Sequence, residues 1–282
     1  TGSTWPGGRG SWSRAVAARR AGAEGWQDDG VSEQHFRIVD VTADAESAFD
    51  AAAAAVAAGE VIVLPTDTVY GVGADPFDPA AVQRLLDAKQ RGRDMPPPVL
   101  VAEPELVRSL LAGADERLDR LADAFWPGAL TVVGRAPESL RMDLGDRGAT
   151  IAVRVPDDDA AREVLRRTGP LAVSSANLNG RDAALTVDEA VAQLGDSVSV
   201  YLDAGPRSGP VPSTIVDLSG DRPRLLRAGR ITVEQLNAVV PGLIEVDAHV
   251  AAAELAAHPD AADSDAIEPD ADAAVTAGEG EG

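Results

Sequence analysis

The sequence of 282 residues contains no cysteine and only three histidines. The lack of cysteine excludes disulfides, thiolate metal sites and a cysteine nucleophile. The histidines are His35, His249 and His258, so the stretch 36–248 offers no imidazole as a general base or zinc ligand. The sequence also lacks an apolar run of the ~18 residues that a membrane span needs, and its N-terminal part lacks the apolar segment of a secretory signal. We therefore expect a cytoplasmic protein with no metal site of its own and no contact with a membrane.

Positive charge is scarce as well, since the net charge is −21 and the segment 244–282 is acidic without a single lysine or arginine. Proteins that bind nucleic acid need a basic surface, so we expect no stable direct binding to nucleic acid. Lysine is the scarcest basic residue, because Lys89 is the only lysine among 25 basic residues. Arginine can replace lysine at most surface positions, so an isolated lysine indicates a site that needs a compact ammonium. Survival by chance in an arginine-rich protein is the alternative.

The spacing of apolar residues predicts about nine strands interleaved with seven helices. Capping-box patterns predict two of the helix starts, TVDE at 186–189 and TVEQ at 232–235. The interleaving predicts a mixed α/β domain with a large twisted sheet, and several direct strand-to-strand links argue against a purely parallel sheet. The predicted strands are 36–41, 60–65, 98–103, 130–134, 150–156, 171–175, 198–203, 213–218 and 224–227.

Composition divides the chain into three segments. Residues 1–34 are rich in Gly, Ser, Trp and Arg without periodicity, and we expect a flexible leader with Val31 as a candidate native start. The stretch 35–245 contains the predicted strands and helices, and we expect it to form the folded catalytic domain. Residues 246–282 consist mainly of Ala, Asp, Glu, Pro and Gly, which bury too little apolar surface to offset the entropy of ordering. We expect this acidic tail to be disordered.

Four clusters of polar residues stand at the ends of predicted elements. The first is LPTDTVYGVGAD at 64–75, in which Thr66, Asp67 and Thr68 follow a buried strand and precede a glycine-rich turn. Hydroxyl groups at the end of a strand can hold a small polar ligand. A plain strand-to-loop turn with satisfied threonine side chains explains the pattern equally well.

The second cluster is DAKQRGRDMPPPVLV at 87–101, which brings Lys89, Arg91 and Arg93 to the end of a predicted helix. Cations are stabilised at a helix C-terminus by the helix dipole, which is a purely structural explanation. Three cations so close together in such an acidic chain favour instead a clamp for a polyphosphate.

The third cluster is LAVSSANLNG at 171–180, in which a buried strand runs directly into Ser174, Ser175 and Asn177. Small hydroxyls and an amide at the carboxyl end of a strand are typical ligand contacts in α/β sheets, although a simple turn is the alternative. A serine hydrolase is excluded, because no histidine is available as its base.

The fourth cluster combines GPVPSTIVDL at 209–218 with PRLLRAG at 223–229. Ser213 opens one strand and Arg227 closes the next, so a hairpin would bring them together and let Arg227 reach an anionic ligand. An edge hairpin with a surface arginine explains the pattern equally well. The sequence has neither GxxxxGK[ST] nor GxGxxG, so any nucleotide must bind to a different architecture.

Taken in order, these clusters resemble the YrdC/TsaC family, the L-threonylcarbamoyladenylate synthases, from Val39 to Val240. The shared pieces are PTDTVYGVGAD, AKQR, WPGALTVV, IAVRVP, SSANLNG, PSTIVDL and LLRAG, and their common order is far more specific than any one piece. The resemblance implies the single-domain bacterial type. It also implies a YrdC-like fold: a mixed α/β domain with flanking helices and a positively charged central cavity on one face of a twisted sheet.

The resemblance further implies roles for individual residues. Arg135 is a weak match to a threonine contact, and Arg154 is a weaker match still. Met95 stands where many members have Lys or Asn, so that role is absent or falls to Arg93. The implied catalytic residues are Lys89, Arg91, Ser175 and Asn177; the implied ATP contacts are Lys89, Arg91, Thr131, Asn177 and Arg227; and the implied threonine contacts are Thr68, Ser175, Ser213 and Arg135.

The implied reaction joins L-threonine, bicarbonate and ATP to give threonylcarbamoyl-adenylate and pyrophosphate, with Mg²⁺ on the phosphates. The product would pass to a tRNA threonylcarbamoyl-transferase complex that modifies the adenosine beside the anticodon. Two alternatives share the fold: a non-enzymatic RNA-binding or ribosome-maturation factor, and a carbamoyl-transfer module. The acidic charge disfavours the first. The second occurs beside acylphosphatase and zinc-finger modules, which this sequence does not contain.

Overall fold

The computed structural model describes residues 35–146, 149–209, 211–241 and 245–246. This part of the chain forms eleven strands and seven α-helices. The strands are β1 (Arg37–Asp40), β2 (Ile62–Leu64), β3 (Gly71–Ala74), β4 (Val99–Leu100), β5 (Leu130–Arg135), β6 (Thr150–Arg154), β7 (Leu171–Ser175), β8 (Val200–Asp203), β9 (Thr214–Asp217), β10 (Arg224–Arg227) and β11 (Glu245–Val246). The helices are α1 (Ala45–Ala57), α2 (Pro79–Ala88), α3 (Pro104–Leu110), α4 (Glu116–Phe125), α5 (Asp159–Thr168), α6 (Val187–Leu194) and α7 (Val233–Val239).

The expected leader, 1–34, lies outside the described residues, and so does the expected acidic tail apart from Val246. Val246 belongs to β11, which pairs with β10. None of the described helices is long and apolar enough to cross a membrane.

All eleven strands belong to one sheet, in the order β1-β8-β2-β3-β7-β4-β6-β5-β9-β10-β11. Five neighbouring pairs are parallel and five are antiparallel. The mixed α/β fold that the sequence predicts is therefore confirmed. Antiparallel pairs such as β2–β3 and β5–β6 form where the chain reverses directly between two strands. Where a helix intervenes, as α5 does between β6 and β7, the two strands are not neighbours in the sheet.

The helices begin close to where the sequence predicts, because side chains accept hydrogen bonds from the free N–H groups of the first turn. Both predicted capping boxes are present, one formed by Thr186 with Glu189 and the other by Thr232 with Gln235. Four further helices start at an aspartate whose side chain caps the first turn: Asp44, Asp78, Asp115 and Asp158.

The sheet separates two layers of buried apolar side chains. In β2, Val63 belongs to one layer, and its neighbours Ile62 and Leu64 belong to the other, as expected for side chains that alternate along a strand. The second layer lies beneath α1 and α5, which pack against each other. Leu100 and Val173 of this layer also line a cavity. The cavity therefore lies on the same face of the sheet as α1 and α5, next to the area that these helices cover.

Strand β3 was not predicted, because its sequence GVGA resembles a glycine-rich turn. It forms an antiparallel ladder with β2 on one side and β7 on the other. A Cβ atom on Gly71 would lie 2.7 Å from Cγ1 of Val173, so this position has no room for a side chain. Glycine therefore serves here for close packing within a strand.

Candidate active site

A cavity of about 460 Å³ lies over the sheet. Its floor follows from the strand register: Leu100 of β4 pairs with Arg154 of β6, and Thr131 of β5 pairs with Ile215 of β9. Residues that pair across neighbouring strands point to the same face of the sheet, so several strands contribute side chains to the floor of the same cavity. All four residues line the cavity.

The charge of the cavity is opposite to that of the chain as a whole. Four arginines line it, and no carboxylate does so among the described residues. Within the same part of the chain, no group of three His, Cys, Asp or Glu side chains is arranged to hold a metal ion. An anionic ligand therefore fits this cavity far better than a cation. The arginines are Arg91, Arg154, Arg181 and Arg227.

The loop after β2 contributes hydroxyl groups to the cavity. Thr66 and Thr68 are buried, line the cavity and lie 3.1 Å apart at their Oγ1 atoms. Between them, Asp67 forms an ion pair with Arg154, with 2.7 Å between Oδ1 and NH2. Both partners are nearly buried, and burial lowers the pKa of Arg154 despite the neighbouring carboxylate. The pair holds the loop against the end of β6.

Lys89, the only lysine, ends α2 and is 2% exposed. Its Nζ atom donates to the carbonyl oxygens of Ser175 and Asn177, the second at 2.7 Å. Burial, and secondarily the charge of Arg91, lowers the pKa of Lys89 to about 8. Lys89 therefore holds the loop after β7 and is not part of the described cavity lining, whereas Ser175 and Asn177 are.

The side chain of Asn177 closes this loop. Its Nδ2 donates to the carbonyl oxygens of Leu178 and Arg181, at 2.9 and 2.7 Å. Asn177 Oδ1 lies 3.5 Å from the Nζ of Lys89. The predicted set of Lys89, Ser175 and Asn177 is thus brought together at the end of β7.

Arg91 completes the predicted set. Its NH1 donates to the hydroxyl of Ser174 at 3.0 Å, and its buried Nε has no hydrogen-bond partner among the described residues. A buried N–H group without a partner is costly, so this atom is a candidate for contact with a ligand. Burial lowers the pKa of Arg91, and the nearby Asp94 raises it in part.

A second connected group crosses β10, the start of β9, and β5. Arg227 donates to the carbonyl oxygen of Ser213 through Nε and NH2, and NH2 also reaches Ser213 Oγ at 3.0 Å. Ser213 Oγ lies 2.9 Å from Thr131 Oγ1. Loss of solvation, followed by the charges of Arg154 and Arg91, lowers the pKa of Arg227 to about 10. The hairpin contact expected between Ser213 and Arg227 is present.

Two predicted arginines lie elsewhere. Arg135, at the end of β5, donates from Nε to the carbonyl oxygen of Ser219 and lines a separate cavity of about 220 Å³. Arg93 forms an ion pair with Asp143 at 2.6 Å and is absent from the cavity lining, so it does not take the role left open by Met95. Met95 itself is an exposed side chain.

The sequence motifs underestimate two of the arginines that line the cavity. Arg154 is nearly buried and lies in the cavity wall, although its motif match is weak. Arg181 also lines the cavity, yet no motif points to it, since an arginine in a polar loop resembles any surface arginine. Its position depends on the turn that Asn177 closes.

A family model described as "Telomere recombination", which joins Sua5, YciO and YrdC proteins, matches residues 54–229. The chain belongs to the Sua5/YciO/YrdC family. The matched stretch contains every predicted site residue from Thr68 to Arg227, so the cavity lies within the Sua5/YciO/YrdC domain.

Two curated relatives carry the name of the same enzyme. A Mycobacterium tuberculosis protein, provisionally named as a threonylcarbamoyl-AMP synthase, is 48% identical over 189 residues, which cover 67% of this chain and 87% of the relative. The threonylcarbamoyl-AMP synthase of Bacillus subtilis is 37% identical over 198 residues, 70% of this chain and 57% of the relative.

Among solved structures, Pyrococcus abyssi Sua5 complexed with L-threonine superposes with a TM-score of 0.70 and 30% identity. The superposition covers 75% of this chain and 62% of the Sua5 chain. This chain thus spans about three fifths of the Bacillus and Pyrococcus proteins. The shared fold confirms the YrdC-like architecture that the sequence motifs imply.

Proposed function

We propose that this protein is a threonylcarbamoyl-AMP synthase, a transferase that condenses L-threonine, bicarbonate and ATP to threonylcarbamoyl-adenylate and pyrophosphate. The observation that carries the proposal is the cavity itself, which is lined by four arginines and threonine and serine hydroxyls but by no described carboxylate. Such a lining suits a polyphosphate together with a small hydroxylated amino acid. The names carried by relatives in the family support the same assignment.

Arginine and amide groups are assigned to ATP. Arg91 has a buried Nε that needs an acceptor, and Arg227 remains partly open to solvent at the cavity. Thr131 touches Ser213, which holds Arg227, and Asn177 shapes the loop that carries Arg181. Lys89 contributes its charge and the position of this loop.

Hydroxyl groups are assigned to threonine. Thr68, Ser175 and Ser213 all line the cavity and come from three different segments of the chain. Arg135 is left out of the proposed threonine contacts, because its side chain turns to Ser219 and a separate cavity.

The reaction proceeds in two steps whose atoms balance. The amine nitrogen of threonine bonds to the carbon of bicarbonate, and water leaves, which gives a carbamate. A carbamate oxygen then bonds to the α-phosphorus of ATP, and the bond to pyrophosphate breaks. The protein holds the reactants together, and its cations stabilise the charge that shifts onto pyrophosphate. The reaction therefore requires neither a histidine as a general base nor a cysteine as a nucleophile.

Mg²⁺ is assigned to the phosphates of ATP. Mg²⁺ prefers oxygen ligands, especially carboxylates and phosphates, and often keeps several water ligands. The described cavity lining has hydroxyls but no carboxylate, so phosphates and water offer the better ligands. Mg²⁺ would offset negative charge on the polyphosphate.

We further place the reaction in the cytoplasm, where a tRNA threonylcarbamoyl-transferase complex would use the labile product.

An assay of pyrophosphate release tests the proposal. Release should require ATP, L-threonine and bicarbonate together, and omission of any one should abolish it. L-Serine in place of threonine tests selectivity, and Arg91→Ala should reduce release strongly. Arg108→Ala, which removes an exposed ion pair with Asp119, is the matched control and should match wild type. Release of phosphate instead of pyrophosphate, or release that ignores threonine, would contradict the proposal.

A further inference from the structure

Three of the four cavity arginines form no ion pair within the described part of the chain. Arg154 is paired with Asp67, at 2.7 Å between NH2 and Oδ1. Arg91 and Arg227 donate only to hydroxyl and carbonyl groups, and the hydrogen bonds described for Arg181 use only its backbone atoms. The cavity therefore holds positive charge that an anion can neutralise.

The acidic tail, residues 247–282, starts beside this cavity. Strand β11 is parallel to β10, and Val246 at its end pairs with Leu225. Strand β11 therefore runs towards the end of β10 that carries Leu226 and Arg227, both of which line the cavity. Neighbouring strands lie about 4.8 Å apart and each residue adds about 3.3 Å, which places the backbone of Val246 roughly 8 Å from that of Arg227.

The tail is also an anion of high charge. It contains ten Asp and Glu and no Lys or Arg, and six of the ten fall within residues 260–272, the acidic run. At about 3.3 Å per residue, the chain from Val246 to Asp260 can span up to about 45 Å. A tethered segment acts at an effective concentration in the millimolar range. Length and charge thus both allow the acidic run to reach the unpaired arginines.

We propose that the acidic run occupies the cavity of its own chain and competes with ATP for Arg91, Arg181 and Arg227. The inference rests on the proposed function for the identity of the competing nucleotide, and it adds regulation to that site. A guanidinium donates paired N–H groups to a carboxylate in the same way as to a phosphate. ATP must then displace the tail, so the apparent dissociation constant for ATP rises with the fraction of cavities that the tail fills.

Neutralising the acidic run in the full chain tests the competition. Amides keep the size and polarity of the side chains but remove their charge. Calorimetry should show that the neutralised chain binds ATP about twofold or more tightly than wild type, since a twofold gain is expected when the tail fills half of the cavities. The substitutions are Asp260→Asn, Asp263→Asn, Asp265→Asn, Glu268→Gln, Asp270→Asn and Asp272→Asn.

A second variant is the matched control for total charge. It also loses six negative charges, but from exposed side chains outside the described cavity lining. A loss of long-range repulsion should improve ATP binding equally in both variants, whereas relief from competition should appear only in the neutralised chain. Thermal unfolding confirms that both variants are folded. The control substitutions are Glu60→Gln, Glu105→Gln, Asp123→Asn, Glu138→Gln, Asp159→Asn and Asp188→Asn.

The lack of cysteine allows the contact itself to be observed. Ser264→Cys provides one site for a nitroxide label within the acidic run. The label should broaden the amide NMR signals of Ser175 and Asn177, which line the cavity from β7 and the loop after it. Saturating ATP should restore these signals, and the same label in the neutralised chain should leave them sharp. Labelled chains without isotope enrichment, mixed with enriched unlabelled chains, separate a contact within one chain from a contact between copies.

The outcomes separate the inference from the proposed function. The inference is wrong if ATP affinity or the broadening is independent of the charge of the acidic run, or if both charge variants gain equally in ATP affinity. Broadening that persists at saturating ATP, or that appears in the mixture of chains, also contradicts it. If neither wild type nor the neutralised chain binds ATP while the broadening is present, the proposed function fails, whereas the docking of the tail stands.

Discussion

The ammonium of Lys89 lies 2.7 Å from the carbonyl oxygen of Asn177 and also donates to the carbonyl oxygen of Ser175. The only lysine of the chain thus joins the end of α2 to the loop after β7. The backbone N–H of Asn179 completes the joint by donating to the carbonyl oxygen of Lys89 at 2.8 Å.

Lys89→Met and Lys89→Arg should both lose most activity. Methionine leaves buried carbonyls without a donor, at a cost of about 1–3 kcal/mol for an unsatisfied group. Arginine is too large and planar for a site that is 2% exposed. Pyrophosphate release and thermal unfolding are the measurements. Arg84→Lys is the control, since Arg84 also donates to a backbone carbonyl, that of Gly59, on the surface. Wild-type turnover by Lys89→Met would show that the joint is dispensable.

ATP affinity should fall as the pH rises through about 8. Burial and then Arg91 lower the pKa of Lys89 to about 8, so its ammonium is charged below this pH and neutral above it. Loss of a cation weakens binding of a polyphosphate. Calorimetric titration with ATP, in the absence of threonine and its titrating amine, measures the effect from about pH 7 to 9.5. Lys89→Met should show no such inflection, and an equal fall in that variant would assign it to another group.

Arg227→Lys should weaken ATP binding about tenfold or more. The fork of Nε and NH2 holds Ser213 through its carbonyl and hydroxyl groups, and an ammonium cannot reproduce this geometry. Arg224→Lys is the control on the same strand, because the exposed side chain of Arg224 pairs with Asp217 and does not line the cavity. Equal ATP dissociation constants for the two variants would remove Arg227 from the site.

Gly71→Ala should destabilise the fold by about 1–3 kcal/mol, the usual cost of overpacking. The new Cβ would meet Cγ1 of Val173 at 2.7 Å in the cavity wall. Gly73→Ala meets its neighbours only at 3.3 Å and should cost less. Urea unfolding compares the two variants. Adding Val173→Ala should recover part of the loss from Gly71→Ala, and a lack of recovery would point to backbone strain instead.

How far the sequence predicts the structure depends on whether the cause is local. The capping boxes at Thr186 and Thr232 are determined within four residues, and both helices start where predicted. Strand β3 depends on the neighbouring Val173, about a hundred residues away in sequence, so its glycines looked like a turn.

The same distinction applies to the site. The motifs identify Thr68, Lys89 and Asn177 as functional candidates, but not the direction of each side chain. Lys89 turns to backbone carbonyls, and Arg135 turns away although Thr131 on the same strand lines the cavity. Such choices depend on contacts between distant segments, which spacing along the chain does not encode.

The cavity has no carboxylate in its described lining, yet it belongs to a chain of net charge −21, and this contrast has a kinetic consequence. A nucleotide far from the protein experiences repulsion, and only near the opening does it meet the attraction of the arginines. Salt screens the first effect more than the second, because the Debye length shrinks from about 30 Å at 0.01 M to about 10 Å at 0.1 M. The association rate of ATP should therefore increase over this range of ionic strength, opposite to the behaviour of enzymes that steer anions with a broadly positive surface. Encounter would thus be slow at low salt, even though the cavity itself favours the nucleotide once it has entered.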